Sequence, residues 1–184
     1  MSIAVQTAPV ATTARRAVGP SPLRVFPIAI SGNVFGWTAD VEATEGILDA
    51  YAEGGGNFVD TADSYAAGRS EIMIGNWMRA KRNRADMVVA TKIGKSADNP
   101  GLHPRAIVAS VDASLQRLRT GYIDLLYLHI DDAQVPFDET LLAVDSLISA
   151  GKVRAFGGSD HTGNRLIEAR IASAQLGVDR KSVV

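Results

Sequence analysis

The chain has 184 residues, 46% of them apolar and 21% charged, with a net charge of −1 and no cysteine. That length carries one domain with a real core. The near-neutral balance gives no electrostatic reason to expect nucleic acid or an anionic membrane as partner, and the absence of cysteine excludes disulfides, thiolate metal sites and a cysteine nucleophile. No apolar run approaches the roughly 20 residues that cross a bilayer, and a cytoplasmic setting is expected.

Residues 1–22 follow Arg15 and Arg16 with no apolar stretch and show no periodicity, so they are read as a flexible tail. Val25 to Ile30 reads as a first strand, broken by Ser31-Gly32-Asn33. Asp40 can cap a helix that places Ala43, Ile47, Ala50 and Tyr51 at helical spacing and ends at Gly54-Gly55-Gly56. Asn57 to Asp60 is a second strand. Ser70 is placed to cap a helix whose inner face carries Ile74, Trp77 and Met78. Met87 to Thr91 is a third strand, apolar almost throughout, as strands buried on both faces of a parallel sheet are. Pro104 opens a helix with Ile107, Val111, Leu115 and Leu118 on one face. Tyr122 to Leu128 is a fourth strand, Asp138 opens a helix closed by Gly151, Val153 to Phe156 is a fifth strand, and Asn164 to Ala174 a fifth helix.

Strand and helix thus alternate five times, which demands parallel strands with right-handed crossovers. An open doubly wound sheet and a (β/α)8 barrel present in part both satisfy that pattern. Barrel enzymes carry their chemistry at the carboxyl ends of the strands. Here strand two ends in Asp60 with Tyr65 in the loop beyond, strand three in Thr91-Lys92, strand four in His129, and strand five in Ser159-Asp160. Each residue alone reads as a turn or solvated residue, but matching positions in successive repeats favour a site. The set has a chemical logic. A phenol ordinarily ionises near pH 10, and a nearby ammonium favours its anion. Lys92 can supply that ammonium, Asp60 can hold Lys92 by a charge-assisted hydrogen bond, and His129 can orient a substrate oxygen. The chemistry then lacks only a hydride donor, which side chains cannot provide.

These residues stand in Phe58-Val59-Asp60-Thr61-Ala62-Asp63-Ser64-Tyr65, Gly68 with Ser70-Glu71 and Gly75, Ala90-Thr91-Lys92, Tyr122-Ile123-Asp124-Leu125 running to Leu128-His129, and Gly151-Lys152-Val153-Arg154 before Gly158-Ser159. On these motifs, from about Leu23 to Ala174, the chain resembles the aldo-keto reductase family. The resemblance implies a TIM-type (β/α)8 barrel, of which about five of eight units are present, and reduction of aldehydes or ketones with NADPH, NADH not being excluded. It assigns Tyr65 as general acid, Asp60 and Lys92 as its activators, His129 as orienter of the carbonyl, and Ser159 with the next position as holders of the nicotinamide carboxamide.

This sequence departs from the family pattern in three ways. Asp160 replaces the usual Asn. A carboxylate accepts but cannot donate a hydrogen bond, and its charge beside the nicotinamide is expected to favour the oxidised ring, so that Asp160→Asn would raise reductase activity. Ile130-Asp131-Asp132 replaces the usual residues after His129. A barrel of this kind takes about 250 residues, so this chain is read as a truncated barrel spanning 23–178, poorly soluble and inactive alone. The last residues, Asp179-Arg-Lys-Ser-Val-Val184, match the translation of a common sequencing adapter and are read as a non-native tail.

Trp37, after strand one, is a candidate for the substrate pocket. Asp124, inside a strand, is read as structural, and Glu71 as serving a helix start. No metal is expected, because His103 and His161 lack paired ligands at suitable spacing. No Gly-x-Gly-x-x-Gly follows a strand, against a Rossmann dehydrogenase. The competing function is a non-catalytic nucleotide-binding barrel acting through a protein partner, and the intact set of four argues against it.

Overall fold

A computed structural model describes residues 14–178. The tail expected at 179–184 lies outside them, as do residues 1–13. Part of the segment read as a flexible tail is paired: β1 (Arg16–Ala17) forms an antiparallel hairpin with β2 (Arg24–Val25), closed by a turn in which Ser21 Oγ donates to the Val18 carbonyl at 2.6 Å. The strand expected over Val25 to Ile30 is accordingly divided. Pro27 lies at its middle, where a missing N–H interrupts any ladder, so the run gives up β2 to the hairpin and leaves β3 (Ile30–Ser31) to start the main sheet.

From there the chain alternates as expected: α1 (Val41–Glu53), β4 (Phe58–Asp60), α2 (Arg69–Lys81), β5 (Val88–Ile93), α3 (Pro104–Leu118), β6 (Ile123–Leu128), α4 (Phe137–Ser149), β7 (Val153–Gly158) and α5 (Gly163–Leu176). All five strands of the main sheet are parallel and lie in chain order, β3-β4-β5-β6-β7. The architecture is a partial (β/α) barrel.

Two apolar layers follow from the two faces of the sheet. Outward, Val59, Val89, Ile93, Leu126 and Phe156 pack against Leu48, Ile74, Trp77, Ile107, Val111 and Val144 of the helices. Inward, Val88, Ala90, Leu125 and Ala155 pack with Leu23 and Val25 of the hairpin. The hairpin therefore floors the barrel at the amino ends of the strands. Asn57 fixes it there, accepting from Phe26 N–H at 2.8 Å and donating to the Arg24 carbonyl at 3.1 Å. At the same end Asp124 accepts from Val89 N–H, Arg84 and Arg154, the structural role read for it.

The helix starts and faces show where periodicity misleads. Asp40 caps α1, accepting from Ala43 N–H at 2.9 Å. Its buried residues are Thr44 and Leu48, whereas Ile47 is 38% exposed, so the inward face is turned by one residue from the one expected. Ser70 does not cap α2. It lies inside the helix, where its hydroxyl donates to the Gly32 carbonyl at 2.8 Å and meets Thr61 Oγ1 at 2.8 Å, tying α2 to the turns after β3 and β4. Glu71 stands in the first turn of α2, as read, where its charge suits the helix start, but its main partners lie on other elements. It is fully buried and receives Thr91 Oγ1 and Arg117 Nε, both at 2.6 Å.

Helices α2 and α3 approach closely at Gly75. A Cβ there would lie 2.6 Å from both the Arg117 carbonyl oxygen and the Leu118 carbonyl carbon. Gly75→Ala is therefore expected to destabilise the chain by about 1–3 kcal/mol, overpacking outweighing the gain in helix propensity. The midpoint of urea unfolding checks it, and an unchanged or raised midpoint would show that the two backbones can separate freely.

Candidate active site

Strand alternation places the reactive residues. Along parallel strands every second residue faces the same way. Phe58 and Asp60 in β4, Val88, Ala90 and Lys92 in β5, and Leu125 and Tyr127 in β6 share the inner face, and the next inward positions beyond β6 and β7 are His129 and Ser159. The register staggers them. Asp60 lies opposite Ala90, Lys92 opposite Tyr127 one step higher, and beyond that the ladder continues with His129 N–H to the Ile93 carbonyl and Ser159 N–H to the Leu128 carbonyl, both 2.9 Å. Lys92 is thus inside its strand, not past it, because β5 runs two residues beyond the expected end.

The four residues expected to act together do converge. Lys92 Nζ donates to Asp60 Oδ2 at 2.6 Å, to the Thr61 carbonyl at 3.0 Å and to Tyr65 Oη at 3.1 Å. The ammonium also stands 4.8 Å from the centroid of the Tyr65 ring. The Tyr65 and His129 rings meet edge to face, centroids 6.0 Å apart. Lys92 and His129 are each more than nine-tenths buried. Burial pushes the Asp60 carboxyl up from its ordinary value, and Lys92 opposes it. Burial, aided by the Lys95 and Lys92 ammonium groups, pushes the His129 imidazole down to about 4. The imidazole is therefore neutral at physiological pH, suited to hydrogen bonding with a carbonyl oxygen and not to donating a full proton. Its Nδ1 is buried and finds no partner among the described residues.

Tyr65 is carried on a strained turn. Ala66 and Ala67 both take left-handed backbone, φ 49° and 55°, before Gly68 at 82° enters α2. Such conformations cost an L-residue about 1–2 kcal/mol each and persist where surrounding contacts fix them. Here Thr61 N–H to the Ala90 carbonyl and Asp63 N–H to the Lys92 carbonyl, 2.8 and 2.9 Å, hold the segment before Tyr65 against β5.

Ser159 follows β7 and is half-buried, and Asp160 is exposed at φ 58°. Asp160 is ion-paired with Lys95, Nζ to Oδ2 2.7 Å. The sequence reading missed Lys95; only its place three residues after Lys92 hinted at a second cation on this rim. Trp37 lies on the turn after β3 and is 75% exposed. His103 caps α3 and His161 Nδ1 lies 2.7 Å from the Ser159 carbonyl. Among the described residues no group of three or more His, Cys, Asp or Glu could hold a metal, and no helix is long and apolar enough to cross a membrane.

The arrangement of carboxylate, ammonium, phenol and neutral imidazole at the carboxyl ends of parallel strands coincides with a match over residues 31–179 to the sequence model of the Aldo/keto reductase family. The chain belongs to the aldo/keto reductase family. It is 36% identical over 171 residues to norsolorinic acid reductase B of Aspergillus parasiticus, covering 84% of this chain and 45% of that protein. It is 37% identical over 157 residues to the aryl-alcohol dehydrogenase [NADP(+)] of Phanerodontia chrysosporium, covering 78% and 41%. Among solved structures, the holo form of an aldo-keto reductase from Bacillus halodurans superposes with a TM-score of 0.77 at 31% identity, over 85% of this chain and 53% of that one. The chain spans less than half the length of these curated relatives.

For an aldo/keto reductase, the rim at Ser159 and Asp160 offers groups that fit a nicotinamide carboxamide. A hydroxyl can donate to its oxygen, and a carboxylate whose Oδ1 makes no bond among the described residues can accept from its amide N–H. Ser159 and Asp160 would hold that end of the cofactor, beside His129 on the neighbouring strand.

Proposed function

We propose that this site reduces aldehydes or ketones to alcohols with NADPH, Tyr65 acting as general acid. The observation that carries the reading is the short chain Asp60–Lys92–Tyr65, 2.6 and 3.1 Å, closed by His129. NADPH, when bound, supplies the hydride. As negative charge develops on the substrate oxygen, the phenol gives up its proton to it. The Lys92 ammonium then faces the phenolate directly, and Asp60 with the Thr61 carbonyl keeps that ammonium in place. His129, neutral and largely sheltered from water, aims the carbonyl oxygen at Tyr65. The names of the two relatives, one specifying an aryl alcohol with NADP(+), support NADPH over NADH and an aromatic carbonyl as substrate. Trp37 on the rim would meet such a ring.

Among the described residues the outermost strands β3 and β7 each pair on one side only, so the sheet does not close into a barrel. The 184-residue chain is therefore expected to be inactive alone. In this chain continued to the length of its relatives, reduction of an aromatic aldehyde should be visible as loss of NADPH absorbance. Tyr65→Phe should lower kcat by about a hundredfold or more while NADPH still binds. Equal turnover by the two would remove Tyr65 from its role, and NADPH binding without turnover in either would favour a non-catalytic barrel.

A further inference from the structure

Asp160 is the position at which this sequence is least suited to a reductase, because an acceptor-only anion there favours an oxidised, cationic ring over a reduced, neutral one. The structure supplies the answer on a different strand. Lys95, two residues beyond β5, reaches across the end of β6 to Asp160, beyond β7, and bonds Oδ2 at 2.7 Å. The two residues are 65 positions apart, and the bridge between them crosses the strand end that carries His129. The pair uses one carboxylate oxygen and leaves the other as an acceptor. Asp160 is further restrained by its left-handed backbone, φ 58°, which Asp and Asn adopt more readily than other L-residues. The Lys95 ammonium also holds the Asp160 carboxyl below the ordinary carboxylate range, so that it stays ionised and paired.

We propose that Lys95 is the counter-ion of Asp160, cancelling its charge and aiming its free oxygen so that this rim can hold the nicotinamide carboxamide without favouring the oxidised cofactor. The inference rests on the reading of Ser159 and Asp160 given above. Lys95 is a positioning residue: it acts on the cofactor through Asp160 and does not touch the reacting atoms.

The test uses this chain continued to the length of its relatives, with NADPH and NADP+ as probes, their dissociation constants measured separately by calorimetry. Lys95→Met should shift the ratio of the two by about two- to fivefold in favour of NADP+, the size expected of a partly exposed ion pair. Adding Asp160→Asn to Lys95→Met should return the ratio to its original value, since Asn fits the same backbone and carries no charge. In the unliganded chain, the carbon resonance of the Asp160 carboxyl should titrate at higher pH in Lys95→Met. An unchanged titration would show that the two groups do not pair, and an unchanged ratio with both forms bound would show that the pair does not act on the cofactor. Either result overturns the inference and leaves the catalytic reading standing. Failure of the continued chain to bind either form, with Lys95 and Asp160 in place, would overturn the assignment of the cofactor seat and this inference with it.

Discussion

Replacing Arg117 with methionine is expected to destabilise the chain by about 3–5 kcal/mol. Glu71 is fully buried, and its carboxylate depends on Arg117 Nε and Thr91 Oγ1, each at 2.6 Å. The guanidinium is held in turn by Ser114 Oγ at 3.2 Å. Its stem lies against Gly68, where a Cβ would come within 2.7 Å of Arg117 Cδ. Methionine keeps much of the stem but removes the charge, leaving an ionised group out of water with one hydroxyl for company. A buried pair broken on one side costs far more than the intact pair contributes. Adding Glu71→Leu to Arg117→Met should therefore recover most of the loss. Guanidinium unfolding midpoints at constant slope measure both changes. A single variant within 1 kcal/mol of the original would mean that water reaches Glu71 and the pair is not what joins α2, α3 and β5.

The same neighbourhood gives the second large effect, of opposite sign. Asp63 is 2% exposed, and neither of its carboxylate oxygens meets a well-formed hydrogen bond among the described residues; the backbone N–H groups of Gly94 and Ser64 lie near enough to ease its ionisation only in part. Burial, with the Glu71 carboxylate nearby, pushes its pKa up to about 6 from an ordinary 3.8. A carboxyl whose folded pKa lies above its unfolded one penalises the folded state once ionised: the cost is absent below about pH 4, grows as pH rises, and is complete above the folded value. The difference between the two values amounts to roughly 3 kcal/mol. Asp63→Asn is thus expected to match the original chain in stability near pH 4 and to exceed it by up to about that amount at pH 8. Unfolding curves at the two pH values provide the check. An advantage that is the same at both would trace the effect to packing and not to charge.

The residues of the proposed site were legible because a strand period of two and a unit repeat of strand and helix bring residues far apart in sequence to one face of one rim. Asp60, Lys92 and His129 could be aligned by their distance from each strand's end without knowing the barrel's curvature. What escaped was whatever depends on two helices or two loops meeting. Nothing near Glu71 announces that Arg117, 46 residues later, will lie against it, nor that Lys95 will find Asp160. On α1, Ile47 and Leu48 are neighbours of similar hydrophobicity, and sequence alone did not resolve which one the sheet would cover. The hairpin was the most recoverable loss. Gly19-Pro20-Ser21-Pro22 is a strong turn signal and Pro27 a strong interruption, so the stretch from Arg16 to Val25 carried its own punctuation.

The agreement between chain order and strand order in the main sheet bears on how the protein is made. Each strand docks beside the one synthesised just before it, so no unit waits for a distant partner and every crossover is closed locally. Growth at the ribosome can then proceed as stepwise addition to an existing edge. The floor hairpin leaves the exit tunnel before the main sheet, yet it packs against Val88, Leu125 and Ala155, contributed by β5, β6 and β7. Its docking is expected to be late, completing the interior only after those three strands have emerged.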